Sequence, residues 1–125
     1  SVDDAKRAID IGCTAIMISN HGGRQLDGSR SPFDQVKASE DAVGDKLEII
    51  LDGGIGRGTH VLKHLAEGAT ECSFGKAFLF SLGAGGQKGV ERLLDNMQNE
   101  IRRNMILMGC KNIKDLDASK IIYRD

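Results

Sequence analysis

Ala15-Ile-Met-Ile-Ser-Asn-His-Gly-Gly-Arg-Gln-Leu-Asp-Gly28 is the stretch on which the reading of this chain turns. The apolar run Ala15 to Ile18 reads as the end of a strand, and it delivers Ser19, Asn20 and His21 to its C-terminal edge. Gly22, Gly23 and Gly28 let the backbone turn sharply there. A histidine or an arginine alone in such a loop is usually a solvated side chain. Together they make a sharper case, because an imidazole exchanges protons near neutral pH and a guanidinium fork grips a carboxylate through two parallel bonds. His21 and Arg24 therefore point to proton transfer on a small organic acid.

Outward from this stretch the chain alternates between helical and strand patterns. Val2, Ala5, Ala8 and Ile9 make one apolar stripe, Ser1 or Asp3 can cap it and Gly12 ends it, which predicts a helix over 2–12. Cys13 to Ser19 is apolar at most positions, as a parallel strand covered on both faces should be. Pro32 opens a second helix, with Phe33, Val36 and Val43 on its apolar face and Gly44 at its end. Leu47 to Leu51 is the next strand, Thr59 to Glu67 the next helix, closed by Gly68, and Thr70 to Phe74 a short third strand. Val90, Leu93, Leu94, Met97, Ile101, Met105 and Met108 recur at spacings of mostly three and four, predicting a long helix over 89–108 with one apolar face. Strand, loop and helix in repeated succession is the pattern of a parallel α/β protein. Asn112 to Asp125 reads as a polar tail anchored by Ile113 and Leu116, with no chemistry of its own.

Between the second strand and its helix lies Asp52-Gly-Gly-Ile-Gly-Arg-Gly58. Glycines let backbone N–H groups approach phosphate oxygens, and a helix N-terminus adds unsatisfied donors and partial positive charge. Arg57 adds a full charge. Glycine turns are common in α/β loops, and this one is neither a Walker loop nor a strict Gly-x-Gly-x-x-Gly, because Thr59 holds the last position. The next strand, however, ends on Gly75-Lys76, a second glycine-plus-cation pair, and packing asks for neither. Phosphate sites after the last two strands are typical of (β/α)₈ barrels.

Composition narrows the class. With 17 basic and 18 acidic residues the net charge is −1, and no block of like charges marks a nucleic-acid footprint or a polybasic membrane patch. No apolar run approaches the ~20 residues of a membrane span. Cytoplasmic placement is expected, free or peripheral at the inner membrane. Cys13, Cys72 and Cys110 lie far apart without a Cys-x-x-Cys pair and are expected to be buried thiols. His60 and His64 have a metal-binding spacing, but Val61 stands where a zinc protease needs Glu, so a solvated helix face is expected.

Ser19 to Gly28 resembles the active-site segment of the FMN-dependent 2-hydroxy-acid dehydrogenases and oxidases, the family of flavin-type L-lactate dehydrogenase and glycolate oxidase. Leu51 to Gly58 and Phe74 to Phe80 resemble that family's two flavin-phosphate segments, in the same order. The resemblance implies a (β/α)₈ TIM barrel with FMN as cofactor. A full barrel takes roughly 250 residues, so residues 1–125 are expected to be its C-terminal portion of about three β/α units, with the missing part upstream.

By the same resemblance His21 is the catalytic base, Arg24 and His21 hold the substrate, and Ser19 neighbours the flavin ring. Asp52, Gly53, Gly54, Gly56, Arg57, Gly75 and Lys76 fall on the FMN ribityl and phosphate segments. Gly56 stands where the family usually has arginine, and Lys76 where it often has arginine. The implied reaction is FMN-dependent oxidation of a lactate-like L-2-hydroxy acid to the 2-oxo acid. The family's earlier strands, with a lysine near the flavin, have no counterpart here, so turnover is expected only with an N-terminal barrel half or a second copy as partner. The alternative is a non-catalytic fragment, or a barrel half that binds phosphate or a partner chain.

Overall fold

The computed structural model describes residues 1–123; Arg124 and Asp125, the end of the expected polar tail, lie outside the described residues. Helix α1 (Val2–Asp10) opens on a capping box in which the Ser1 hydroxyl accepts from the Asp4 backbone and the Asp4 carboxylate returns a bond to Ser1. Strand β1 (Ala15–Ser19), helix α2 (Phe33–Val43), strand β2 (Glu48–Asp52), helix α3 (Gly58–Ala66), strand β3 (Glu71–Ser73) and a long helix α4 (Lys76–Leu107) follow, with two single helical turns, Ile113–Asp115 and Ala118–Lys120, after it. The three strands form one parallel sheet in the order β1-β2-β3, with Ser19 in register with Asp52 and Asp52 with Ser73. Sequential parallel neighbours require helical crossovers, which α2 and α3 provide.

The period of two along each strand divides the sheet into unequal faces. Ile49 and Leu51 are sealed beneath Val36 of α2, with Ile16, Ile18 and Phe33 packed around them. A second cluster joins Ala5 of α1 to Val43 and Leu47. Replacing a fully buried side chain such as Leu51 by alanine costs about 2–5 kcal/mol through lost transfer energy and the cavity left behind. On the other face Met17 is 57 % exposed. The expectation of a strand covered on both sides is thus corrected for β1: helices cover one face, while Met17 on the other is exposed.

Other expectations shift for local reasons. Helix α4 begins at Lys76 and not near Gly89, with a break at Gly85 and Gly86, whose backbone angles leave the helical region. Residues 76–84 are helical although the glycines that follow them read as loop. Of the cysteines only Cys110 is buried; Cys72 is half-buried and Cys13 exposed just beyond α1. Leu116 is half-buried as expected of an anchor, but Ile113 is exposed in a single helical turn, Ile113–Asp115. Among the described residues no helix is long and apolar enough to cross a membrane.

Candidate active site

The C-terminal ends of the strands bring three loop starts together. At the end of β1 the Ser19 hydroxyl donates to Asp52 Oδ2 at 2.6 Å, a bond that the in-register pairing of these residues makes available. The same hydroxyl accepts from the His21 backbone N–H at 3.1 Å. His21 is the single non-glycine residue with positive φ, at 52°, among the described residues. That conformation is uncommon for a side-chain-bearing residue and persists where surrounding bonds impose it. Here the turn is held by Ser19 below it and by Asn20, whose side-chain oxygen accepts from Gly22 N at 2.9 Å.

His21 Nδ1 lies 2.9 Å from Gln25 Oε1. An amide oxygen only accepts, so Nδ1 is the donor in this pair, and in the neutral tautomer that matches it Nε2 carries the lone pair. Arg24 is exposed and makes no ion pair or side-chain hydrogen bond among the described residues, which leaves its guanidinium free for an incoming carboxylate. Gln25, which sequence reasoning passed over, is legible only as the neighbour one helical turn beyond His21.

The third strand reaches the same place through Lys76. Its ammonium donates to the Gly22 carbonyl oxygen at 3.0 Å, tying the first residue of α4 to the histidine turn. A Cβ at Gly22 would stand 2.9 Å from the Lys76 side chain, and the position also has a positive φ of 64°, so glycine serves both the turn and the approach of lysine.

The glycine turn after β2 divides into two parts. Gly53 and Gly54 have positive φ, and the Gly56 N–H donates to His60 Nδ1 at 3.1 Å, which makes that nitrogen the unprotonated one. Beyond it, Arg57 Nε donates to Glu100 Oε1 at 2.8 Å and Arg57 Nη2 reaches the same oxygen. Gly58 N gives a bond of 2.8 Å to Glu100 Oε2, and Thr59 Oγ1 donates to Oε1 at 3.0 Å. Chiefly because of Arg57, and against the effect of burial, the Glu100 carboxyl is held at a pKa of about 2. Glu100 was not singled out from the sequence. Its signal was a carboxylate interrupting the apolar stripe between Met97 and Ile101.

His64 corrects the expectation of a solvated histidine face. It is 5 % exposed, packs against the Phe33 ring at a centroid distance of 5.3 Å, and its Nδ1 bonds the His60 carbonyl. Burial lowers its pKa, with bonds to the His60 and Gly53 backbone opposing. The described residues contain no group of three or more His, Cys, Asp or Glu placed to hold a metal ion.

The open backbone fits a flavin nucleotide. Gly56 and Gly75 lie outside the left-handed region and a Cβ on either would meet no atom within 4 Å, so neither the turn nor the packing of this chain asks for glycine there. Such open backbone is compatible with the close approach of a ligand, and Lys76 beside Gly75 places a cation at the same turn.

Comparison with known proteins identifies the family. The model of the family described as FMN-dependent dehydrogenase matches residues 1–123. The chain is 45% identical over 117 residues to an L-lactate oxidase of Nostoc sp., covering 94% of this chain and 32% of that protein. It is equally 45% identical over 121 residues to a pre-mycofactocin synthase of Mycobacterium tuberculosis, covering 97% and 31%. A solved mandelate oxidase variant with a monooxide FMN adduct superposes with a TM-score of 0.88 at 40% identity, over 93% of this chain and 37% of that one. The chain thus spans about a third of the length of the curated relatives it matches. With the match running from α1 through the single-turn helices beyond α4, the chain belongs to the FMN-dependent dehydrogenase family, an enzyme family whose cofactor is FMN.

Proposed function

We propose that residues 1–125 are the C-terminal three β/α units of a (β/α)₈ barrel that oxidises an L-2-hydroxy acid of the lactate type to its 2-oxo acid, in the cytoplasm. The observation that carries the reading is the Lys76 bond to Gly22, because it joins the glycine-cation segment after β3 to the histidine turn after β1. One ligand with a phosphate and a reacting end can then meet both. The open sheet face around Met17 supports the barrel, since further strands and their interior side chains would cover it.

Bound FMN supplies the two-electron acceptor. Arg24 holds the substrate carboxylate through its two-pronged fork, which fixes the α-carbon and its hydroxyl against the histidine. His21 takes a proton on Nε2 while Gln25 holds the Nδ1 hydrogen and so the ring orientation. Asp52, which fixes Ser19, would be an acceptor for hydroxyls of the bound cofactor. The substrate loses two electrons and two protons in all: one proton goes to His21, and the electrons with the other proton would go to the flavin. Arg24 is what favours a carboxylate; the relatives act on different molecules, lactate and mandelate among them by their names, so the substituent on the α-carbon is set elsewhere.

The test is His21→Ala in the complete barrel. Oxidation of L-lactate or a longer 2-hydroxy acid should fall by about 10²–10⁴-fold, the usual worth of a positioned base, while the flavin absorbance of the purified protein stays. An unchanged rate removes His21 from the mechanism.

A further inference from the structure

Arg57 looks like a phosphate ligand in the sequence, and the structure gives it a different task. Its guanidinium reaches Glu100 through two nitrogens, and the same carboxylate takes the first backbone donor of α3 at Gly58 and the Thr59 hydroxyl. Asn104, one turn further along α4, donates to Thr59 Oγ1 at 2.9 Å and completes the arrangement. Glu100 is only 12 % exposed, while Arg57 is 60 % exposed and Arg103 stands 3.9 Å away. The backbones also meet: a Cβ at Gly58 would lie 2.5 Å from the Met97 carbonyl oxygen, so glycine is what lets α3 start against α4. A carboxylate at this point fills the place where a helix N-terminus would otherwise offer its donors to an anion.

We propose that Glu100 is the positioning residue of the phosphate turn: its carboxylate takes Arg57 and the first donors of α3, and Lys76 is left as the charged group that meets the FMN phosphate. This rests on the FMN reading above and deepens it. The turn 53–56 is pinned at its downstream end to α4, and the phosphate sits on the upstream side, between the open backbone at Gly54 and Gly56 and the Gly75-Lys76 pair. With Gly56 carrying no side chain, one full positive charge serves the phosphate.

FMN and riboflavin differ by that phosphate, so their affinity ratio isolates contacts to it from contacts that only shape the turn. The complete barrel, stripped of flavin, is titrated with each, following flavin fluorescence, as wild type, Lys76→Met, Arg57→Met, Arg57→Lys and Glu100→Gln. Lys76→Met should lower the FMN-to-riboflavin ratio by roughly ten-fold or more, the worth of one charge-assisted bond. Arg57→Met and Glu100→Gln should weaken both flavins by the same factor and lower the melting temperature, leaving the ratio intact. Arg57→Lys, which keeps the charge and serves if the methionine variant does not fold, should also keep the ratio. A ratio that falls in Arg57→Met or Arg57→Lys as far as in Lys76→Met overturns the proposal. So does a Glu100→Gln protein with wild-type affinities and melting temperature. A wild type that binds riboflavin as tightly as FMN overturns the phosphate reading itself, a result distinct from either.

Discussion

Arg24 and Arg57 are the same residue in similar settings: each follows a strand of one parallel sheet, and each sits among glycines. Their surroundings differ completely. The Arg24 side chain has no charged or hydrogen-bonding partner among the described residues, whereas Arg57 is taken by a carboxylate from a helix 43 positions downstream. A cation in a glycine turn is a ligand group only where the chain has not supplied its own counter-charge. Of the two arginines, the first has an uncommitted guanidinium among the described residues, and the second is committed to the carboxylate that joins α3 to α4.

The sharpest way to break this contrast is to make the same conservative change at both. Arg24→Lys should lower kcat/KM for a 2-hydroxy acid by about 10–100-fold, because a two-pronged carboxylate contact becomes a single point charge. The matching Arg57→Lys should act on flavin affinity and melting temperature, with kcat at saturating flavin nearly unchanged. Steady-state kinetics on both variants decide it, and equal losses in kcat/KM would erase the distinction.

A smaller effect is expected from adding an arginine one position before the one that Glu100 holds. Gly56 lies outside the left-handed region and has open space where a Cβ would go, so a side chain there meets neither strain nor clash. Gly56→Arg should tighten FMN binding by roughly ten-fold through a charge-assisted bond to the phosphate. Gly56→Ala, which adds the Cβ without charge, should be near neutral. Flavin titration of the two separates charge from backbone, and no change in the arginine variant would place the phosphate elsewhere.

The smallest effects are in acid. Glu100 has a folded-state pKa of about 2 against an ordinary 4.5, so its contribution is present above 4.5 and is lost as pH falls toward 2. His64 is depressed as well, but as a base: the unfolded chain protonates first, so stability falls as pH drops below the ordinary histidine value of 6.5. Melting temperature against pH should thus show two losses, the upper one removed by His64→Phe and the lower by Glu100→Gln. Arg24→Lys should alter neither, and a shifted acid limb in that variant would tie Arg24 to the fold after all.

Much of the fold was legible because its determinants are neighbours in the chain. The Ser1 cap, the apolar stripes of α1 and α2, the strand runs and the glycines that end them all act over a few residues, and period decides helix or strand there. The start of α4 was missed for the same reason: Gly83, Gly85 and Gly86 signal a loop locally, while the preceding Lys76 to Leu82 segment continues as helix. His21, Arg24 and Lys76 were visible as polar residues beyond apolar runs, and Asp52 through the family resemblance.

What the tertiary structure alone decided is which of these groups meet. His60 and His64 share a spacing, but the burial of His64 depends on Phe33 arriving from α2. Lys76 reaches Gly22 across 54 positions, Ser19 reaches Asp52 across 33, and Glu100 reaches Arg57 across 43. A local pattern sets the direction of each element because it is summed over adjacent side chains. A hydrogen bond or ion pair needs two atoms within about 3 Å, and only the closing of the sheet and the docking of α4 on α3 bring distant residues that close.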